Sequence, residues 1–161
     1  MRWSIATILV AATACARAAE LTSWESEPEA LPEEAVAAIR RFAGYTFMDS
    51  DDTPCKFVGT RIALVVGSSR LEDWFVTAPF CSFTRAAGAE TMWILRRTKR
   101  GYRVVLEDVT VSVTLGKSGR NGLRHIATAR NYSSNWYVHL WKYDGRMYRV
   151  TRSGAVGYMA W

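Results

Sequence analysis

Histidine is the side chain that most often acts as a general base near neutral pH, and this 161-residue chain has two, His125 and His139. Each lies in a strand-like run with apolar neighbours, where a histidine is more often packed and hydrogen-bonded than reactive. No His-x-x-x-His, His-Glu-x-x-His or Cys-x-x-Cys spacing occurs, so zinc would need ligands from distant parts of the chain. We therefore expect no catalytic residue, no metal site and no cofactor.

Two other segments contain parts of catalytic motifs. Ser68-Ser69 lacks the Gly-x-Ser-x-Gly elbow and the following helix of a nucleophile turn, so we interpret it as a hairpin turn. The segment 116–122 contains Gly-Lys-Ser, but a phosphate-binding loop has a glycine five residues earlier, where Val111 stands, and a helix after it. We interpret 116–122 as a mobile basic loop.

Aromatic and basic residues are interleaved in the last third of the chain. Trp, Tyr and Arg dominate protein interfaces, and exposed rings also stack on sugars and bases. Packing in the core is the competing explanation for the rings. The candidate binding residues are Lys117, Arg120, Arg124, Arg130, Trp136, Trp141, Arg146, Arg149 and Arg152.

Charge is divided unevenly along the chain. Residues 20–52 contain nine acids and two bases, whereas the residues from 53 onward contain 17 Lys and Arg and six acids. The acidic part can lie against the basic part, the basic surface can meet an anionic partner, or it can simply be solvated.

The N-terminus has the features of a secretory signal peptide. Arg2 gives a positive n-region, residues 5–14 are uncharged and apolar, and Ala16-Arg17-Ala18 has the small-x-small pattern of a cleavage site. Cleavage after Ala18 makes the protein periplasmic or secreted. The alternative is lipidation at Cys15, although Ala12 replaces the usual Leu of a lipobox. No segment reaches the roughly 20 apolar residues that a membrane span needs, so we expect no transmembrane segment.

Export also fixes the interpretation of the cysteines. If Cys15 is removed with the signal peptide, Cys55 and Cys81 remain as an even pair in an oxidising compartment. Such a pair predicts one disulfide. A reactive cysteine would need a nearby base, and neither has one in the adjacent sequence.

The elements that must position these residues are mostly strands. Residues 19–31 are read as a flexible acidic leader and 32–161 as a single β-rich domain. Pro32, Glu33 and Glu34 predict the first turn of a short helix that ends at Gly44. The predicted strands are 57–66, 73–77, 92–98, 102–107, 110–115, 123–130, 135–143 and 147–151.

Two patterns give the fold class. Asp144-Gly145 predicts a type I′ hairpin, and both faces of 135–143 carry aromatic rings, which predicts a central strand covered on both sides. Short strands joined by hairpins predict a mainly β fold, an antiparallel sandwich or small barrel with one short N-terminal helix.

From about Val66 to Val150 the order of motifs resembles small exported bacterial domains related to the FG-GAP or VCBS-like repeat. The matching segments are Asp73-Trp74-Phe75-Val76, Cys81, Trp93-Ile94-Leu95-Arg96-Arg97, Gly101-Tyr102-Arg103-Val104-Val105-Leu106, Asn121-Gly122-Leu123-Arg124-His125-Ile126 and Tyr143-Asp144-Gly145-Arg146-Met147-Tyr148. The resemblance implies a calcium-binding acidic loop, but here that loop is 66–73, with Ser69 in place of the central acid and a cation at Arg70. Calcium needs six to eight oxygen ligands, so we do not expect it there.

Two hypotheses of function follow. The first is a non-enzymatic binding module of the cell envelope, of the inhibitor, immunity or accessory type, that meets an anionic envelope component or an acidic protein through its basic aromatic face. Because the protein is expected to be exported, nucleic acid is not an expected partner. The alternative is an envelope glycan hydrolase that uses distant carboxylates such as Glu107, Asp108 or Asp144, which would have to meet in one cleft.

Overall fold

The computed structural model describes residues 28–44, 48, 53–79, 81, 85–86, 89–132 and 135–155. The predicted signal peptide, the alternative lipidation residue Cys15 and most of the predicted leader lie outside the described residues. The leader's last residues differ from the expectation of a flexible segment, because Glu29–Ala30 form a short strand.

One helix and ten strands make up the described chain. They are β1 (Glu29–Ala30), α1 (Glu33–Ala43), β2 (Val58–Ile62), β3 (Asp73–Thr77), β4 (Arg85–Ala86), β5 (Ala89–Thr98), β6 (Gly101–Thr110), β7 (Ser112–Arg120), β8 (Leu123–Tyr132), β9 (Asn135–Tyr143) and β10 (Tyr148–Ala155).

Helix α1 begins and ends as the sequence predicts. Glu33 and Glu34 lie in its first turn, where the helix dipole favours negative charge. Gly44 follows in the left-handed conformation with φ of 77°, and its N–H donates to the Arg40 carbonyl at 3.0 Å.

The strands form two antiparallel sheets. The first sheet has the order β1-β2-β3-β5; β4 and β6 both pair with β5. The second sheet has the order β10-β9-β8-β7. The mainly β prediction with one short helix is confirmed, and the described strands form no closed barrel, which leaves the sandwich.

Apolar residues fill two cores, one on each face of the first sheet. Ala35, Ala38 and Ile39 of α1 pack with Trp74 and Trp93 on one face. On the other face the first sheet packs against the second sheet, and that core contains Ile62, Leu64, Phe75, Met92, Ile94, Leu106, Val113, Leu115, Leu123, Ile126, Tyr143 and Tyr148. The domain therefore has three layers, with the first sheet in the middle.

The prediction for β9 is only half confirmed. The strand is internal in its sheet, between β8 and β10. It is not covered on both sides, because Trp136 is 42% exposed and Tyr137 is 38% exposed. The rings near the start of β9 therefore lie at the surface.

The two predicted turns differ from expectation. Residues 116–120 belong to β7 rather than to a mobile loop, and Arg120 pairs with Leu123 across Asn121-Gly122, whose φ angles are 53° and 76°. Positive φ at both central residues is the mark of a two-residue type I′ turn. At Asp144-Gly145 the strands instead pair Tyr143 with Tyr148, which leaves a four-residue connection.

A disulfide joins Cys55 to Cys81, as predicted, with a Cα–Cα distance of 5.3 Å. Both cysteines are buried in the core beneath α1. The bond ties the segment before β2 to the segment after β3, so it closes a loop that contains two strands of the first sheet.

Replacing Cys55 and Cys81 together with alanine should lower the free energy of unfolding by about 3 kcal/mol, because the cross-link restricts the unfolded chain over 26 residues. Urea unfolding of the oxidised wild type and of the double variant measures the difference. Equal midpoints would contradict a stabilising role.

The Asp73 carboxylate joins three segments of the first sheet. Its side chain accepts the N–H of Leu64 at 3.0 Å and the N–H of Arg97 at 2.9 Å. Burial raises the pKa of Asp73, and the two backbone hydrogen bonds oppose that rise. Asp73 thus closes the base of the loop 63–72 between β2 and β3.

Asp73→Asn should lower the free energy of unfolding by about 1–3 kcal/mol near neutral pH, because the amide can accept at one atom only and leaves a buried N–H unpaired. The pKa of Asp73 in the folded protein lies above its ordinary value of 3.8, so at pH values between the two the folded state binds more protons than the unfolded state. The contribution of Asp73 to the free energy of unfolding therefore falls as pH rises through the folded pKa. The difference between wild type and variant should therefore be largest below pH 3.8 and should narrow as pH rises. Urea titrations across this range test it, and a difference that widens with pH would contradict the assignment.

Candidate binding surface

The second sheet is uniformly basic. Its four strands contain no Asp or Glu, and Asp144 is the one acid between residues 112 and 155. The seven cations of the strands are Lys117, Arg120, Arg124, Arg130, Lys142, Arg149 and Arg152. The first sheet and α1 hold most of the carboxylates of the described chain, so the charge is divided between layers.

Part of this charge collects on the face of the second sheet that points away from the first. Arg149 pairs with Lys142, and Arg152 pairs with Leu140. Residues 136, 138, 140 and 142 alternate along β9, so Trp136 shares this face with Lys142. A register shift between Val150 and Arg152 brings Arg149 and Arg152 to the same side although they are three residues apart. We call Trp136, Lys142, Arg149 and Arg152 the outer basic face.

Lys142 was not among the sequence candidates. The alternation from Trp136 to Lys142 was the signal that could have found it. Lys142 also affects His125. Burial lowers the pKa of this histidine, and the positive charge of Lys142 lowers it further. His125 is therefore neutral at physiological pH and adds no charge to the outer basic face.

The turn at 144–147 holds its own acid. The Asp144 side chain accepts the N–H groups of Arg146 and Met147 at 2.7 and 2.8 Å and contacts the Arg149 guanidinium at 3.1 Å. Hydrogen bonds from the backbone of Met147 and Arg146, followed by Arg149, lower the pKa of Asp144 to about 2. Asp144 thus caps this turn, and the Arg146 side chain is exposed.

Three predicted binding residues lie elsewhere and bond within the protein. Arg124 donates to the carbonyls of Ala63 and Gly116 at 3.0 and 3.1 Å, which ties the second sheet to the loop after β2. Trp141 and Arg130 point towards the first sheet. Trp141 lies five residues after Trp136, and Arg130 lies six residues before it. Lys117 and Arg120 are exposed near the end of β7.

Trp141 and Arg130 belong to a polar cluster at the β6 edge of the sandwich. The Trp141 indole donates to the Thr128 hydroxyl at 2.9 Å, and that hydroxyl donates to the Asp108 carboxylate at 2.6 Å. His139 Nδ1 lies 3.6 Å from the same carboxylate oxygen, and Arg130 lies 3.5 Å from His139 Nε2. The cluster joins β6 to β8 and β9.

The geometry of this cluster suits packing better than catalysis. Thr128 is 2% exposed, and its hydroxyl donates to Asp108 rather than to the imidazole that would activate it. Both nitrogens of His139 face charged groups of the protein. His139 is therefore a packed histidine at this edge, as the strand pattern predicts.

The candidate carboxylates of the hydrolase hypothesis do not meet. Glu107 and Asp108 are consecutive on β6 and point to opposite faces; Glu107 contacts Trp93, whereas Asp108 contacts Thr128. Burial raises the pKa of Glu107. Asp144 is engaged in the turn between β9 and β10. These three acids form no pair across a cleft.

Among the described residues, no group of three or more His, Cys, Asp and Glu side chains is arranged to hold a metal ion. A cavity of about 230 Å³ lies between the sheets at the end of β6; it is lined by Phe75, Thr77, Glu90, Met92, Thr110, Val111, Ser112 and Val113. The Thr110 hydroxyl there bonds the carbonyls of Ser112 and Ala129.

Comparisons with known proteins give no family for this chain. No family model, no curated protein and no solved structure matches it. The resemblance to FG-GAP or VCBS-like domains stays a prediction. Within the described residues, no helix has the length and apolar character that a membrane crossing requires.

Thr128→Val should lower the free energy of unfolding by about 2–3 kcal/mol, because it leaves the Asp108 oxygen and the Trp141 indole without this hydroxyl in a buried position. The matched control is Thr114→Val on the neighbouring strand, for which we expect a change within about 0.5 kcal/mol. Chemical unfolding of both variants measures the effect. Equal changes in the two would show that the cluster does not join the sheets.

Proposed function

We propose that this protein is a non-enzymatic binding module of the cell envelope or the secreted space, and that its outer basic face meets an anionic partner. The observation that carries the proposal is the second sheet itself, with seven cations and no carboxylate in its strands. The register shift in β10 adds to it, because it turns Arg152 to the face that carries Arg149 and Lys142.

The composition of this face favours recognition through charge with one aromatic anchor. Trp136, towards the other end of β9 on the same face, is 42% exposed, and tryptophan is among the residue types enriched at interfaces. Lys142 and the two arginines create a positive potential that steers an anionic partner to the surface. The disulfide in a buried position fits an oxidising compartment outside the cytoplasm.

The glycan hydrolase hypothesis receives less support. Hydrolysis of a glycosidic bond needs two carboxyl groups that face each other, at about 5–9.5 Å. Glu107, Asp108 and Asp144 point in different directions, so they do not supply such a pair.

The triple variant K142Q/R149Q/R152Q should bind a polyanion more weakly than the wild type. With heparin as the probe, we expect an association rate about tenfold lower at low salt, because exposed cations steer the encounter. The difference should shrink as salt rises, since the Debye length falls to about 8 Å at physiological ionic strength. Surface plasmon resonance over a range of salt concentrations measures both effects.

The control removes the same charge from the segment before β2 and from the turn between β5 and β6. K56Q/K99Q/R100Q replaces three exposed cations there, and its association rate should stay close to that of the wild type. Equal rates for the two triple variants, after equal melting temperatures have been measured, would mean that net charge alone governs binding and that the outer basic face has no special role.

A further inference from the structure

Three turns of the described chain meet at one end of the sandwich. Val65 forms a β-bridge with Leu123, the Val66 N–H donates to the Gly122 carbonyl at 3.0 Å, and the Arg124 N–H donates to the Leu64 carbonyl at 2.8 Å. The loop 63–72 therefore runs alongside the turn at Asn121-Gly122.

The third turn is joined through one side chain. The Asn121 amide donates to the Tyr143 carbonyl at 3.2 Å, which places the turn at 144–147 beside the turn at Asn121-Gly122. These connections bring Arg120 and Arg146 to the same end as the loop 63–72. We call this region the turn end.

The turn end exposes aliphatic side chains together with cations. Val65 is 43% exposed, Val66 is 40% exposed and Leu71 is 54% exposed, the largest value among the exposed large hydrophobic residues of the described chain. The exposed cations beside them are Arg70, Arg120 and Arg146. The acids in the three turns are Glu72, which is exposed, and Asp144, which caps its own turn.

Hydrogen bonds at the base of the loop 63–72 and within it fix its conformation, in which its apolar residues are exposed. Asp73 accepts the Leu64 N–H at the base of the loop. The Ser68 N–H donates to the Val65 carbonyl at 3.1 Å, and the Arg70 N–H donates to the Ser68 hydroxyl at 3.0 Å. Gly67, with φ of 77°, permits the turn. Because the loop is ordered in this way, little further ordering is needed when it binds.

We propose that the turn end is a docking surface for an anionic lipid bilayer. In this arrangement Val65, Val66 and Leu71 enter the boundary between headgroups and acyl chains, and Arg70, Arg120 and Arg146 contact the lipid phosphates. Aliphatic side chains on turns, surrounded by cations, combine the two forces that hold proteins to anionic membranes, burial of apolar area and attraction to the negative surface.

A bilayer fits this surface better than an acidic protein does. The apolar residues lie on a connecting loop rather than in a groove that a partner helix or strand would fill. Lipid also accepts aliphatic side chains without matched shape. The turn end shares no residue with the outer basic face, which it adjoins through the contact between Asp144 and Arg149.

Vesicle binding by the full chain with its disulfide formed tests the proposal. The protein should bind vesicles that contain phosphatidylglycerol and phosphatidylcholine, and should bind pure phosphatidylcholine vesicles far more weakly. V65T/V66T should reduce the partition coefficient by about tenfold, because in each residue one of the two methyl groups is replaced by a hydroxyl that has to be desolvated. R70Q, R120Q and R146Q should each reduce it by about fivefold at low salt.

Matched controls separate the turn end from the rest of the surface. V111T/V150T makes the same two changes at exposed valines outside the three turns and should leave vesicle binding unchanged. K142Q/R152Q changes the outer basic face and keeps the contact between Arg149 and Asp144; weaker heparin binding with full vesicle binding would show that the two surfaces act independently. Their failures are therefore distinguishable.

Three results would overturn the proposal. The first is equal vesicle binding by V65T/V66T and V111T/V150T. The second is binding to phosphatidylcholine that equals binding to the anionic vesicles. The third is a concentration-dependent dimer, seen by analytical ultracentrifugation, that V65T/V66T abolishes while vesicle binding stays at the wild-type level, because this result would assign the exposed aliphatic residues to a second copy of the chain.

Discussion

The first sheet has to be covered on both faces, and the rest of the structure depends on that constraint. All five residues of β3, from Asp73 to Thr77, are buried. Alternate side chains of a strand point to opposite faces, so no single layer can cover them. The helix, with the disulfide beside it, covers Trp74 and Val76, and the second sheet covers Phe75. Along the chain, α1 precedes β2 to β6 of the first sheet, and the strands of the second sheet follow them.

The same constraint explains where the charge lies. The second sheet is an outer layer: one of its faces packs against the first sheet, and its other face carries the exposed Arg149 and Arg152. Its strands contain seven cations and no carboxylate. Arg149 reaches Asp144 in the adjacent turn, but the contact is exposed and therefore weak. The outer basic face is thus positive because it belongs to a layer whose strands carry cations and no carboxylates.

Local patterns predicted the elements that depend on local forces. The bounds of β3 and β9 agree with the β-branched and aromatic runs in their sequences, and α1 ends at the glycine that can adopt positive φ. The extension of β7 through 116–120 was missed because glycine and serine have little strand propensity. That extension depends on pairing with β8 and on the close approach at Gly119, where a Cβ atom would overlap the Leu123 carbonyl. The Asn-Gly turn at its end was visible in the sequence and was the better signal.

The residues that make up the outer basic face could not be identified from their spacing in the sequence alone. A period of two places Arg149 and Arg152 on opposite faces, and the register shift reverses that assignment. Likewise, Trp136 and Trp141 look equivalent in the sequence, yet one is exposed and the other donates to Thr128 inside the polar cluster at the β6 edge. Charge alone could not distinguish Arg124, whose guanidinium bonds two carbonyls, from Lys117, which is exposed.

Asp73 connects the stability of the first sheet to the shape of the turn end. A buried carboxylate has a desolvation cost, and the raised pKa of Asp73 shows that its two backbone hydrogen bonds offset this cost only in part. A neutral side chain would avoid the cost but could not accept both N–H groups. Those two groups belong to Leu64, at the base of the loop 63–72, and to Arg97 of β5. The carboxylate therefore fixes the position of the loop relative to the sheet, and the loop in turn holds Val65 and Val66 against the turn at Asn121-Gly122, where they remain exposed.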